Sequence, residues 1–200
     1  LTPSAVSYCN NSGSMMVVQF GGGIAGRAAA HTQAQRLVID SCYNTGDLTP
    51  AQSSNMKAFY LGGIIGDMRA GTTLSRCRNT GNIVTDEGYK TYYSGGIGGD
   101  LMASSSAPDT IIDCHNTGNV NGYNSLGGIA GSFDGDTAAV IIACSNTGNI
   151  TGINPSTGNI GGLVGIGGCC IYDSWNAGNV TASGYQVGGL AGYFSSKHDI

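Results

Sequence analysis

The feature that most constrains this chain is an internal repeat. The pattern Ile-x-x-Cys-x-Asn-Thr-Gly-Asn-Ile/Val recurs in six registers centred on Cys9, Cys42, Cys77, Cys114, Cys144 and Ser174, with successive offsets of 33, 35, 37, 30 and 30 residues. Each copy is followed by a second block, Gly-Gly-Ile/Leu-x-Gly, as in Gly62-Gly63-Ile64-Ile65-Gly66 and Gly127-Gly128-Ile129-Ala130-Gly131. Two linked motifs in six copies define the unit of structure, and a period of roughly 30 residues signals a stacked repeat architecture.

Alignment on the cysteine separates inward from outward positions. Three residues before it stand Val6, Ile39, Leu74, Ile111, Ile141 and Ile171, and six after it stand Met15, Leu48, Ile83, Val120, Ile150 and Val180. Both columns are wholly apolar. The columns beside the cysteine are Tyr8, Ser41, Arg76, Asp113, Ala143, Asp173 and Asn10, Tyr43, Arg78, His115, Ser145, Trp175, mostly polar and expected to face solvent from strands. Short β-branched runs punctuated by Asn-Gly and Gly-Gly read as strand, turn, strand, turn, strand, with no helical period.

A unit of this size with three short strands cannot bury its own apolar columns, whereas parallel stacking sets isoleucine on isoleucine. The expected fold is therefore all-β, a parallel β-helix (β-solenoid) of about six rungs with one repeat per rung. Its repeats span approximately 1–30, 31–70, 71–107, 108–137, 138–168 and 169–200, all in a single domain. At about 4.8 Å per rung the rod is on the order of 29 Å long. The longest insertions, near Ala51 to Tyr60 and Leu101 to Asp109, are expected to project from it. A propeller needs four strands per blade and a longer period.

Composition enters where it excludes partners. The formal charge is −4 with only eight Lys and Arg, so no basic stripe points to nucleic acid. Every apolar stretch is broken by Gly-Gly, which argues against membrane insertion. The leading Leu1-Thr2-Pro3-Ser4-Ala5 lacks the basic and apolar regions of a secretory signal. Asn10, Asn149 and Asn179 lie in glycosylation sequons, which an Asn-rich chain also produces by chance.

The motif residues read as scaffold. Asn11, Asn44, Asn79, Asn116, Asn146 and Asn176 are expected to hydrogen-bond from rung to rung, and Gly13, Gly46, Gly81, Gly118, Gly148 and Gly178 to supply positive φ at the corner. Cys9, Cys42, Cys77, Cys114 and Cys144 form one column, read as buried free thiols, with rung-to-rung disulfides left open. Cys169-Cys170 stands outside that column as packing residues or a vicinal disulfide. No Cys-x-x-Cys or paired-histidine spacing suggests zinc, His31, His115 and His198 fall at unrelated positions, and no cofactor is expected.

Four places bear on function. Tyr43, Arg78 and His115 should align on successive rungs as a stripe on which a glycan could stack. Asp67 and Asp100 follow the Gly-Gly block of adjacent rungs, with Arg27 at the same place in the rung before; a solvated surface ladder outweighs acid/base chemistry or calcium binding there. Asp134-Gly135-Asp136 reads as an exposed turn and not as a calcium loop. Thr45, Thr80, Thr117 and Thr147 form an outward column of the kind an ice-binding solenoid uses, but beside turn glycines where the surface curves.

The Gly-Gly-Ile/Leu-Ala-Gly block followed by Cys-x-Asn-Thr-Gly-Asn-Val resembles the GLUG-motif repeats of bacterial cell-surface proteins, over all six repeats. The resemblance implies a secreted or surface-attached protein, either an adhesin or a non-catalytic repeat region of the kind found in immunoglobulin-A-cleaving peptidases. It implies no catalytic residue and leaves the ligand open. The expected role is thus a non-enzymatic extracellular structural or adhesive module, the alternative being a subunit that stacks head to tail on copies of itself; a carbohydrate-active enzyme and an ice-binding protein rank below. Expected partners are other domains of a larger surface protein, further copies of the chain, or glycans.

Overall fold

In the computed structural model, the described residues are 3–29, 36–51, 60–69, 71–85, 90–103, 109–135, 139–154, 158–183 and 186–195. They form a parallel β-solenoid without helices. Each rung contributes to five stacks of parallel strands rather than three. In the second rung these strands are Leu37–Asp40, Tyr43–Asn44, Leu48–Pro50, Tyr60–Gly62 and Ile65–Arg69. The first, second, fourth and fifth stacks are six-stranded sheets. The third is split in two, and isolated parallel bridges from Ile83 to Leu48 and Val120 join the halves. Strands of two residues are too short to reveal a period, and the Gly-Gly block divides one apolar run between two sheets, which is why fewer strands were legible.

The register is the one that the alignment requires. Val6, Ile39, Leu74, Ile111, Ile141 and Ile171 are paired in succession along the first sheet. Interior members of both apolar columns are fully enclosed, including Leu74, Ile111, Ile141, Leu48, Ile83 and Val120, each 0% exposed. The interior nevertheless holds two cores. The larger joins the Ile39 column and the cysteines to Ile64, Ile65, Met68, Leu101 and Phe133; the smaller joins Val17, Leu61, Ile83, Val120, Leu126, Ile150 and Ile160.

A polar seam accompanies these cores. Each asparagine Nδ2 donates to the carbonyl of the glycine two residues on, and from the first rung to the fifth also to Oδ1 of the asparagine in the following rung. The inter-rung bonds are 2.8 Å from Asn11, Asn44, Asn79 and Asn146 and 2.7 Å from Asn116. The second glycine of the Gly-Gly block lies against this ladder. A Cβ on Gly63 or Gly96 would stand 2.2 Å from Cγ of the next rung's Asn79 or Asn116. The two sequence motifs are therefore opposite sides of one contact.

The turn glycines serve a different purpose from the one expected. Gly13, Gly46, Gly81, Gly118, Gly148 and Gly178 do not take positive φ. They are required by proximity: a Cβ on Gly81 would sit 2.0 Å from the carbonyl oxygen of Gly46 in the rung before. The left-handed corner falls instead on Tyr8, Ser41, Arg76, Asp113, Ala143 and Asp173, at φ between 46° and 56°. Their column is thus a corner and not an outward strand position, and Ser41 is buried within it.

This conformation is unfavourable for residues with a side chain, and hydrogen bonds hold it. The backbone ladder continues through the corner, with Ser41 N–H donating to Ser75 O at 2.9 Å and Arg76 N–H to Ile112 O at 3.0 Å. The cysteine thiols then donate to the carbonyl two residues back, Cys42 to Asp40 O and Cys77 to Ser75 O, each at 3.3 Å. Ser174 does the same to Tyr172 O at 2.7 Å, which explains serine in the sixth place. All seven cysteines are free; Cys9 is exposed at the first rung, and Cys169 and Cys170 are not bonded to one another.

Ile111→Asp should cost more than about 3 kcal/mol, because it leaves an uncompensated charge between apolar neighbours above and below. Arg78→Ala should cost under about 0.5 kcal/mol, as at an exposed site. Urea midpoints of the two variants check the assignment, and comparable midpoints would reverse it. Asn116→Ala should also cost more than about 3 kcal/mol, since it strands Gly118 O and an Asn79 N–H and leaves Asn146 Oδ1 with its Gly148 N–H alone.

Candidate functional site

The second sheet presents the glycan-stripe candidates. Tyr43, Arg78 and His115 are paired in register on three successive rungs, followed by Ser145 and Trp175. Tyr43 and Trp175 are 46% and 52% exposed and Arg78 is exposed, so two aromatic groups and a guanidinium reach solvent along one line. His115 differs from them. Its Nε2 lies 2.8 Å from Asp113 Oδ1 and its Nδ1 2.6 Å from Ser145 Oγ, which holds a half-buried imidazole against the wall. The arrangement supplies one ring and one cation on adjacent rungs and a second ring three rungs further on, features suited to the apolar face and hydroxyls of a sugar.

The acidic pair is in register, Asp67 opposite Asp100 with Arg27 opposite Asp67 on the other side. It is not a solvated ladder. Asp67 is 0% exposed and Asp100 4%. Two arginines neutralise the pair. Arg27 Nε approaches Asp67 Oδ2 at 2.9 Å, while Arg69 Nη2 reaches Asp67 Oδ1 at 2.6 Å and Asp100 Oδ2 at 3.2 Å. The Asp67 contacts are ionic in distance without the alignment of hydrogen bonds. Burial raises the Asp100 carboxyl above its ordinary value, against the lowering influence of Arg69 and Ser132.

Half-buried rings of Phe20, Tyr60 and Tyr93 stand nearby with centroids 5.3 Å apart, and Arg27 lies over Phe20 at 5.5 Å. At that spacing the rings occupy one another's faces. Burial raises the hydroxyls of Tyr60 and Tyr93 as well. The sequence missed this cover because the aromatics precede the Gly-Gly block and Arg69 follows it; only the folding of the fourth strand back along the fifth joins them.

Two further clusters went unread. Asp40 accepts from Ser75 Oγ at 2.6 Å and from Arg76 Nη2 at 2.6 Å, and these donors, Ser75 first, hold its carboxyl below the ordinary value against the effect of burial. A second asparagine ladder runs along the outside: Asp47 Oδ1 accepts Asn82 N–H at 2.7 Å, and Oδ1 of Asn82, Asn119 and Asn149 accept the N–H of Asn119, Asn149 and Asn179 at 3.0, 2.9 and 3.1 Å. Its signal was the final Asn of Asn-Thr-Gly-Asn. The sequon residues Asn149 and Asn179 belong to it, and Asn10, like both of them, is exposed. Beside it Thr45, Thr80, Thr117 and Thr147 are exposed in the bend between the second and third strands.

The insertion expected to project from Leu101 to Asp109 does not do so at its ends. Leu101 is a core residue and Asp109 is 0% exposed, while 104–108, like 52–59, His31, His198 and Asp136, lie outside the described residues. Asp134 closes a strand and is half-buried, so it is no exposed turn. Cys169 is buried, and burial raises its thiol to about 12. Among the described residues, no group of three or more His, Cys, Asp or Glu is arranged to hold a metal ion. Neither a protein-family model, a curated protein nor a solved structure matches this chain.

Asp109 generates a pH dependence. Its Oδ1 accepts Thr72 N–H at 2.7 Å, but burial outweighs that bond and raises the carboxyl from 3.8 to about 6. A raised folded-state value favours the protonated acid, so this contribution to stability is fully present below about 3.8 and is lost as pH rises through about 6. Asp109→Asn should stabilise the fold at pH 7.5 by roughly 2–3 kcal/mol and flatten the decline between pH 4 and 6. Denaturant unfolding of both proteins across that range checks the sign; a variant less stable at pH 7.5 would refute it.

Proposed function

We propose that this chain is a non-enzymatic structural module of a secreted or cell-surface protein, a stiff rod that spaces other domains and presents an adhesive stripe. The observation that carries this reading is the closure of the repeated polar chemistry. Asparagine, cysteine and glycine of every interior rung are engaged by the neighbouring rungs, so the residues that define the repeat serve the scaffold. Of what varies from rung to rung, Tyr43, Arg78 and Trp175 face outward. The likeness to GLUG-motif repeats supports a surface location, and the exposed aromatics and guanidinium favour glycans as the adhesive partner.

The competing enzymatic reading rests on Asp67 and Asp100. Their burial beneath arginines works against it, since a general acid must reach the glycosidic oxygen. A glycan array probed with the fluorescently labelled chain should give binding that falls at least tenfold in Tyr43→Ala/Arg78→Ala. Incubation with the captured polysaccharide should release no new reducing ends or unsaturated products. Binding unchanged by the double substitution would overturn the stripe, and turnover abolished by Asp100→Asn would overturn the non-enzymatic reading.

A further inference from the structure

The column Tyr43, Arg78, His115, Ser145 and Trp175 offers a ligand less polar chemistry than its residue types suggest. His115 engages both ring nitrogens within the wall, Nε2 with Asp113 Oδ1 at 2.8 Å and Nδ1 with Ser145 Oγ at 2.6 Å. Ser145 itself is only 5% exposed. The fourth and fifth rungs therefore present a closed surface. A ligand lying along the column meets rings at Tyr43 and Trp175 and a charge at Arg78.

Arg78 differs from the arginines around it. Arg27, Arg69 and Arg76 each lie against a carboxylate, as Arg76 Nη2 does against Asp40 Oδ2 at 2.6 Å. No carboxylate among the described residues comes within ion-pair distance of Arg78, and the residue is exposed. A planar fork of N–H donors without a partner matches a carboxylate, which can accept two parallel bonds from it. The neighbouring corner column decides where along the rod such a group is tolerated. It sets Arg76, already neutralised, beside Arg78 at the third rung. At the fourth it sets Asp113, its side chain 45% exposed, and at the sixth the exposed Asp173, two residues before Trp175. An anion is thus attracted at the third rung and repelled at the fourth and sixth. The formal charge of −4 adds to the repulsion of any densely charged polymer.

We infer that the stripe binds a glycan chain in which a carboxylated sugar stands alone among neutral ones, with its carboxylate on Arg78. The inference rests on the glycan-binding half of the function proposed above and names the class of chain. At about 4.8 Å per rung, Tyr43 lies one rung from the carboxylate seat and Trp175 about 14 Å away on its other side. Tyr43 stacks on the neutral sugar next to the acidic one, and Trp175 on another further along. A chain acidic at every sugar sets its carboxylates against Asp113 and Asp173. A sulfated chain brings dense charge to a column with a single unpaired cation.

Titration calorimetry of the 200-residue chain with four probes tests the inference. They are glucuronoxylan, a neutral xylose chain with scattered glucuronates; the same polymer with its carboxyls reduced to alcohols; polygalacturonate, acidic at every sugar; and dextran sulfate. Glucuronoxylan should bind, carboxyl reduction should weaken it roughly tenfold or more, and neither polyanion should reach its affinity. Arg78→Ala should weaken glucuronoxylan by a similar factor and leave the reduced polymer within about twofold, because both changes remove the same contact. Arg78→Lys, which keeps the charge without the fork, should recover only part of the loss. Equal affinity for glucuronoxylan and its reduced form would overturn the inference, and a loss of both in Tyr43→Ala would then keep the stripe. Tighter binding of polygalacturonate or dextran sulfate would overturn it too. Binding of none of the four would overturn it and leave the adhesive reading to the glycan array.

Discussion

The structure depends on one contact: an asparagine amide laid across a glycine of the neighbouring rung. The amide bonds along the rod to its own kind and closes its own turn, so donors and acceptors that burial would leave unpaired are matched in every interior rung. Such an arrangement requires parallel strands in strict register, because Nδ2 and Oδ1 meet only when equivalent residues stack. It also requires a glycine opposite, since any side chain there would displace the amide. The regularity of the rod follows from this pair of demands more than from the apolar columns, which would tolerate a looser fit.

That seam shapes what surrounds it. The chain turns before each cysteine through a left-handed residue that is never glycine, a conformation held by the backbone ladder and by a thiol directed at the corner carbonyl. Cysteine is therefore chosen here for a small volume with a weak donor, and serine can replace it. On the other side, the glycine block lets the fourth and fifth strands lie close together, so the interior divides into two cores. A mutation in one should leave the packing of the other largely intact.

Function on such a scaffold has to reside in what departs from the repeat. The group of buried Asp67 and Asp100 with exposed Arg27 and half-buried Arg69 departs from it in only three rungs and is closed by its own counter-charges, which makes it a local reinforcement. The second-sheet column departs in every rung, and Tyr43, Arg78 and Trp175 in it stay accessible. The proposed reach and adhesion are compatible on one rod because they use its length and its side.

The repeat by itself determined the parallel stacking, the inward columns and the asparagine ladder, because each is a one-dimensional pattern that stacking copies directly into space. The aligned stripe of Tyr43, Arg78 and His115 was legible for the same reason. Only the tertiary structure decided whether an outward residue meets water. Asp67 and Asp100 looked like surface charges and are buried, with Arg27 and Arg69 paired to them; an alignment gives which positions stack but not how deeply a side chain sits. It also decided which residue takes the left-handed corner, and that the turn glycines answer to the rung before and not to their own backbone angles. Close approach between distant segments leaves no local periodicity to read.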